Sequence, residues 1–429
     1  MRVWRNCLRM PSRHVLWTLA LLFLLGLAFA GWQWSRTFRL VARFACVDEQ
    51  VTPCAAGFLL EAHANTYTFR DWRGRVRWTV HAPPPGIWRA QWYGTHPWEG
   101  MLSLSPHGRT LAKITTANGK LYVNAWRDGK AMPPVAFPAQ RNDGGFPAFA
   151  LAAQDDGRVF LWAQRGPAFP IYLIMDGRIV ARNVMPRKPR YWSSLEIAPD
   201  GSHAVLYYEI ARQFTLMKMT VRSSTVTLTP LYTDTYPRNP SIPPQVMSNG
   251  VYLTGEGGVF RGGTALRTIP VRTNCCVAPA GQWAFTYRLG QGLVANLATG
   301  DRWLLTLPGD YPGTSGYAEG ITDAAVSDSG RFVLVSVQER PVLGLRKRLP
   351  NWRVFHRFHD DEAGWAQYQA LYARPGRLVT RFTPAYRKWG GDWLAGAQWH
   401  MAPDGRALVT TISIDHGATR GYRVILLGR

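Results

Sequence analysis

Two stretches of this chain gather the residue types that do chemistry. His356-Arg-Phe-His-Asp-Asp-Glu362 sets His356 and His359 beside Asp360, Asp361 and Glu362, enough donors for a divalent ion. The i, i+3 histidine spacing converges only on a helix, no further ligand pair accompanies it, and a charged loop has the same composition. No metal and no cofactor is therefore expected. The second resource is cationic. Arg340, Arg346, Lys347, Arg348, Arg353 and Arg357 interleave with Trp352, Phe355 and Phe358, and Arg182, Arg187, Lys188 and Arg190 precede Tyr191 and Trp192. Cations beside aromatic faces suit an anionic ligand or a membrane surface. A solvated loop has this composition too, so Arg346, Lys347, Arg348, Trp352, Arg353, Arg357, Arg187, Lys188 and Arg190 are ligand-binding candidates and no more.

The whole chain is strongly basic, with a formal charge of +23 and a pI near 10.3. Such a balance favours polyanions: acidic lipid headgroups, anionic envelope polymers or nucleic acid. The cations are 43 Arg against 7 Lys and are scattered along the chain, a skew that a GC-rich genome produces without a binding site. Nucleic acid is not the expected partner. Catalytic signatures are missing: there is no Gly-x-Ser-x-Gly elbow, no phosphate-binding Gly-x-x-x-x-Gly-Lys-Ser/Thr loop and no His-Glu-x-x-His. An enzyme built from scattered loop residues would leave little trace in one sequence.

The elements that position these residues are announced by a recurring turn. It reads Ser105-Pro-His-Gly108, Gln154-Asp-Asp-Gly157, Pro199-Asp-Gly201, Ser248-Asn-Gly250, Pro279-Ala-Gly281, Ser327-Asp-Ser-Gly330 and Pro403-Asp-Gly405. Proline presets φ, Asp or Asn bonds its own backbone, and glycine takes the left-handed conformation cheaply. Short apolar runs follow, such as Thr110–Thr115, Val159–Trp162, Ala204–Tyr208, Phe332–Ser336 and Ala407–Ile412, and they read as strands. A second phrase sits ten to twenty residues later: strand, Asp-Gly, Thr-Gly or Pro-Gly, return strand. It occurs at Leu121–Lys130, Ile171–Arg178, Leu293–Asp301 and Leu371–Arg377, with a further copy at Tyr67–Val76. Gaps of 31 to 49 residues between the first six turn glycines signal four-stranded units stacked on one another. The last gap, 75 residues, is expected to hold an inserted surface loop at 339–366.

On these phrases residues 55–429 resemble the TolB-like or WD40-like β-propellers, whose blades carry a Ser-Pro-Asp-Gly turn and a Leu-Tyr hairpin. His107 and Ala280 depart from the turn Asp, and the copy at 247–250 lacks the proline. The resemblance implies an all-β fold, a β-propeller of seven or eight four-stranded blades, eight being favoured. It specifies fold and leaves the ligand open.

Residues 15–34 carry no charge, long enough to cross about 30 Å of hydrocarbon, with Trp17, Trp32 and Trp34 as interfacial anchors. Arg2, Arg5, Arg9 and Arg13 favour a cytoplasmic tail at 1–14 and export of the rest, with 35–54 as a linker. Ala28-Phe-Ala30 also satisfies a signal-peptidase rule, so secretion after cleavage is the alternative. Either way the blades lie outside the cytoplasm, in the periplasm for an anchored chain. There Cys46 and Cys54 could close a small disulfide loop, whereas adjacent Cys275 and Cys276 read as buried or idle thiols. The expected function is a non-catalytic binding or scaffold module for an envelope protein or anionic envelope polymer. The alternative is a propeller-type hydrolase or lyase with its site in the central funnel.

Overall fold

The computed structural model describes residues 21–25, 39–47, 51–84, 102–118, 120–138, 149–163, 170–184, 193–210, 213–235, 245–254, 257–270, 274–278, 281–288, 291–307, 320–339, 366–382, 399–415 and 420–428. They divide into two compact units. In the unit Met1–Arg39 with Arg429, residues 21–25 are helical and exposed. Among the described residues no helix is long and apolar enough to cross a membrane. The rest of the expected span at 15–34, with Trp17, Trp32 and Trp34, lies outside them.

The unit Leu40–Gly428 is built from β-sheets. In the first seven, consecutive strands pair antiparallel as a meander. The first holds Thr52–Cys54, Gly57–His63, Thr66–Asp71 and Val76–His81. The second holds Leu102–Leu104, Thr110–Ala117, Lys120–Arg127 and Val135–Pro138, with short Lys130–Ala131 also paired to its third strand. Next come Phe149–Ala153, Val159–Ala163, Pro170–Met175 and Arg178–Val184, then Ser193–Ile197, Ala204–Ile210, Gln213–Arg222 and Thr225–Thr235. One parallel pair, Arg182 opposite Thr225, joins the outer strands of these two sheets. The fifth holds Gln245–Val246, Val251–Leu253, Gly258–Arg261 and Thr264–Thr268. The sixth holds Asn274–Val277, Trp283–Arg288, Gln291–Asn296 and Arg302–Thr306. The seventh holds Gly320–Val326, Phe332–Glu339, Ala366–Ala373 and Arg377–Phe382. In the eighth, Trp399–Met401, Ala407–Asp415 and Arg420–Gly428 take their outer strand, Arg39–Cys46, from the other end of the chain.

Strand geometry explains how these sheets stack. Successive side chains point to opposite faces, and here both faces are covered, so the second strands read as unbroken apolar runs. Phe58 and Leu60 face the eighth sheet while Leu59 faces the second. Leu206 packs on the third sheet while Val205 and Tyr207 face the fifth. Apolar clusters of this kind join each sheet to the next: Leu59 and Phe69 to Leu111 and Trp126, Ile114 and Val123 to Leu151 and Leu161, Phe160 and Leu173 to Leu195 and Leu206. The series continues with Tyr207 to Tyr252, Val251 to Ala284, and Phe285 to Val335. The seventh sheet meets the eighth where Asp328 N–H donates to the Pro403 carbonyl at 2.9 Å. Val409, Val424 and Leu426 of the eighth then pack on Phe58 and Leu60 of the first, so the stack returns on itself. Eight sheets among the described residues therefore form a closed ring, an architecture consistent with a β-propeller.

Three expectations need correction. The stretch 35–54 is not a linker, because Arg39–Cys46 and Thr52–Cys54 are strands. Ala42, Phe44 and Cys46 turn inward and Val41, Arg43 and Ala45 outward, a period of two that the flanking charges obscure. The insertion is shorter than 339–366: Glu339 and Ala366 are paired ends of adjacent strands, so the connection is 340–365. The bridge between Cys46 and Cys54 is not formed. Cys46 packs between the eighth and first sheets and Cys54 between the first and second, where Cys54 is a free thiol.

Candidate functional site

The candidates Arg346, Lys347, Arg348, Trp352, Arg353 and Arg357 lie outside the described residues, as do Arg187, Lys188 and Arg190 and the 356–362 cluster. Their anchor points are described. Residues 340–365 join the paired ends Glu339 and Ala366, and 185–192 follow the exposed outer strand ending at Val184. Among the described residues no group of three or more His, Cys, Asp or Glu could hold a metal ion.

What the described residues do assemble is a rim of glycine turns. In a four-stranded meander the turn between strands one and two and the turn between strands three and four lie at the same end. All seven turn glycines of the repeated phrase have positive φ, from +62° at Gly330 to +91° at Gly157. Hydrogen bonds tie turn to turn between successive sheets. Ala55 N–H donates to the Pro106 carbonyl, His107 N–H to Asp155 Oδ1, Gln154 Nε2 to the Gly201 carbonyl, and Asn249 N–H to Asp200 Oδ2. Outer strands reach the same end: Trp78 Nε1 donates to the Gly108 carbonyl and Trp303 Nε1 to the Gly330 carbonyl, both at 2.9 Å.

The rim is cationic because a basic residue follows glycine in four of the seven inner turns and in four outer turns. The inner turns carry Gly108-Arg109, Gly157-Arg158, Gly330-Arg331 and Gly405-Arg406, and the outer turns Gly74-Arg75, Gly129-Lys130, Gly177-Arg178 and Gly376-Arg377. Carboxylates offset part of this charge. Arg109 pairs with Asp128 at 2.8 Å, Arg158 with Asp156 at 2.6 Å, and Arg77 with Asp71 at 3.1 Å. The hydrogen bond from Arg109 holds the Asp128 carboxyl below its ordinary range. Burial alone would raise Asp200, but hydrogen bonds from Ser202 and the Asn249 N–H outweigh it and keep the group low.

The same turn brings Asp200, Ser202 and His203 together, and their order rules out a nucleophile. Ser202 Oγ donates to Asp200 Oδ1 at 2.6 Å and meets His203 Nδ1 at 2.7 Å, so the hydroxyl bridges the other two. An activated serine instead gives its proton to a histidine that the carboxylate orients. Burial lowers the His203 pKa, helped by Lys218 and opposed by Asp200. The buried Lys113 is likewise structural: Nζ donates to Asn65 Oδ1 at 3.0 Å and sits 4.8 Å from the Tyr67 ring centroid. Asn65 N–H in turn donates to Glu61 Oε1. This chain of contacts cross-links the first two sheets.

Sequence reasoning did not single out the rim. Its signal was the residue after each turn glycine, which looks like scatter until the strand order places every copy at one end.

No family model matches the chain, and no curated protein matches it. Among solved structures, BamB from Moraxella catarrhalis is similar at 12% identity over 92% of this chain and 100% of that one, with a TM-score of 0.44. The WD40 domain of SCAP from fission yeast is similar at 9% identity over 91% and 98%, with a TM-score of 0.46. A eukaryotic initiation factor shows 12% identity over 89% and 91%, also with a TM-score of 0.46. These are likenesses to β-propellers in general, and the ring itself is read from its own strand order and packing.

Proposed function

We propose that the chain is a membrane-tethered, extracytoplasmic binding or scaffold module with eight blades, which holds an envelope protein or an anionic envelope polymer on one face. One observation carries this reading: the uncharged segment 15–34 runs within five residues into Arg39–Cys46, the strand that closes the ring. A tether that leads into the closing strand ties the ring to a bilayer, and loops from all sheets converge on the ring's two ends. The Ser-Pro-Asp-Gly turn and Leu-Tyr hairpin support kinship with TolB-like blades. The connection 340–365, rich in Arg with interleaved Trp and Phe, is the leading partner-binding segment.

Two measurements test this. Membranes carrying the full chain are washed with alkaline carbonate, and sealed cells stripped of their outer envelope are treated with trypsin. Retention after the wash together with cleavage from outside is expected; release by carbonate, or a ring shielded from trypsin, overturns the tether. Separately, an Asn-Gly turn replaces 340–365, which the pairing of Glu339 with Ala366 permits. The variant is expected to melt cooperatively and to lose capture of envelope components; unchanged capture removes this segment from the reading.

A further inference from the structure

We infer that the glycine-turn rim is a docking surface for anionic phospholipid headgroups, an assignment that rests on the tether reading and adds an orientation to it. The direction of the closing strand comes first. Gly428 is paired with Ala407, next to the turn of the eighth sheet, and a Cβ at Gly428 would lie 2.8 Å from Val41 Cγ2. Gly74, in an outer turn of the first sheet, lies beside Phe44 and Ala42. At the other end of the strand, Val47 N–H donates to the Glu61 carbonyl, close to the turn between the second and third strands of the first sheet and so at the opposite end of that sheet. The chain thus enters the ring at the glycine-turn rim and runs away from it. Trp34 precedes Arg39 by five residues, a reach of at most about 17 Å even fully extended. On the tether reading, a span ending at Trp34 therefore leads into this rim and not into the opposite one.

The composition of the rim then matches what lies there. Three outer turns, those of the first, third and seventh sheets, set a cation beside an exposed apolar side chain at the start of the outer strand: Arg75 with Val76, Arg178 with Ile179, and Arg377 with Leu378. Leu40 and Val41 repeat the pattern on the closing strand next to Arg39. Val76 is 52% exposed and Ile179 45%, although the other faces of these strands are packed. Cations that meet phosphate, alternating with side chains that enter the headgroup layer, are the composition of an interfacial binding surface. A soluble acidic protein would select the charges but would not select the exposed apolar residues beside Arg75, Arg178 and Arg377.

The test uses the full chain in lipid nanodiscs of phosphatidylcholine alone or with phosphatidylglycerol. An arginine-selective dicarbonyl reagent labels the protein, and mass spectrometry reads each site. Arg75, Arg178 and Arg377 are expected to label at least about threefold more slowly on anionic discs. The difference should vanish in about 1 M salt, where screening is nearly complete. Arg423, paired with Ile412 five residues from the rim end of its strand, serves as the unaffected control. A triple variant, Arg75→Gln, Arg178→Gln and Arg377→Gln, should keep the melting temperature and lose the salt-sensitive protection of neighbouring rim arginines. Equal labelling on both discs, with the chain inserted in each, overturns the rim assignment and leaves the tether standing. Recovery with anionic discs alone, rim protected, overturns the tether and leaves the rim standing. Recovery with neither overturns both.

Discussion

Gly108→Ala and Gly250→Ala form a matched pair that separates two costs usually measured together. The backbones are nearly identical, with φ of +71° and +68°. Their surroundings differ: a Cβ at Gly250 meets nothing within 4 Å, whereas one at Gly108 would lie 2.2 Å from Phe69 Cζ. Phe69 has no room to retreat. It is 3% exposed, stacked on Trp78 at 5.2 Å between centroids, and enclosed by Leu111 and Trp126. Alanine in the left-handed region costs about 1–2 kcal/mol at either site. Only Gly108→Ala adds an overpacking cost of about 1–3 kcal/mol, for a total of about 2–5 kcal/mol. A ring spanning Leu40–Gly428 unfolds with an entropy of roughly 0.8 kcal/mol/K. The expected Tm losses are therefore about 1–2 °C for Gly250→Ala and about 3–6 °C for Gly108→Ala. Thermal melts followed by near-ultraviolet circular dichroism read both. Equal losses would refute the idea that these turns are docked into neighbouring sheets, leaving backbone preference as their only constraint. Gly330→Ala, whose Cβ would lie 2.1 Å from Trp283, should fall with Gly108→Ala.

Phe44→Ala should weaken ring closure, since this ring lies 6.1 Å from Phe58 and under the Arg70 guanidinium at 4.0 Å; about 2–3 kcal/mol is expected from urea melts, and a loss below about 0.5 kcal/mol would contradict the packing. Burial pushes the His400 imidazole from 6.5 down to about 4, so the folded ring favours the neutral form. The unfolded chain binds the extra proton first, and stability should fall as pH drops from about 6.5 towards about 4, by up to about 3 kcal/mol. His400→Gln should flatten that slope in melts across the window. Asp128 and Asp200, both held low, act in a separate and more acidic window, their contribution being lost below the ordinary carboxylate range. Burial pushes the Cys54 thiol up to about 11, so iodoacetamide at pH 8 should leave it unmodified in the native ring and alkylate it in denaturant without any reductant. A requirement for reductant would restore the Cys46–Cys54 bridge.

The parts of this fold that were legible in advance are those specified by a few neighbouring residues. Pro-Asp-Gly and Asp-Gly turns declare themselves because positive φ and a side chain that bonds its own backbone leave few alternatives. Asp128-Gly129 and Asp176-Gly177 have positive φ at both residues, as a tight hairpin demands. Non-local features were harder. Arg39–Cys46 reads as linker because its partner, Arg420–Gly428, lies far along the chain and Arg39 and Arg43 mask the inward Ala42, Phe44 and Cys46. The 247–250 copy survives without its proline because Asn249 supplies the left-handed residue, at φ +59°. Cys46 and Cys54 are close in sequence, yet the intervening chain passes from one sheet to the next, and separation along the chain gave no sign of that. The cationic rim was hidden for a related reason: its residues lie at one end of the first, second, third, seventh and eighth sheets and are spread widely along the sequence.

The pairing of Arg39–Cys46 with Arg420–Gly428 makes the ring a check on completeness during biogenesis. Arg39–Cys46 has no permanent partner until Arg420–Gly428 arrives, so it waits while all the intervening sheets are made. A product truncated anywhere before residue 420 leaves two raw sheet edges, one at each terminus, as templates for aggregation or targets for proteolysis. Only a chain that carries Arg420–Gly428 can hide those edges.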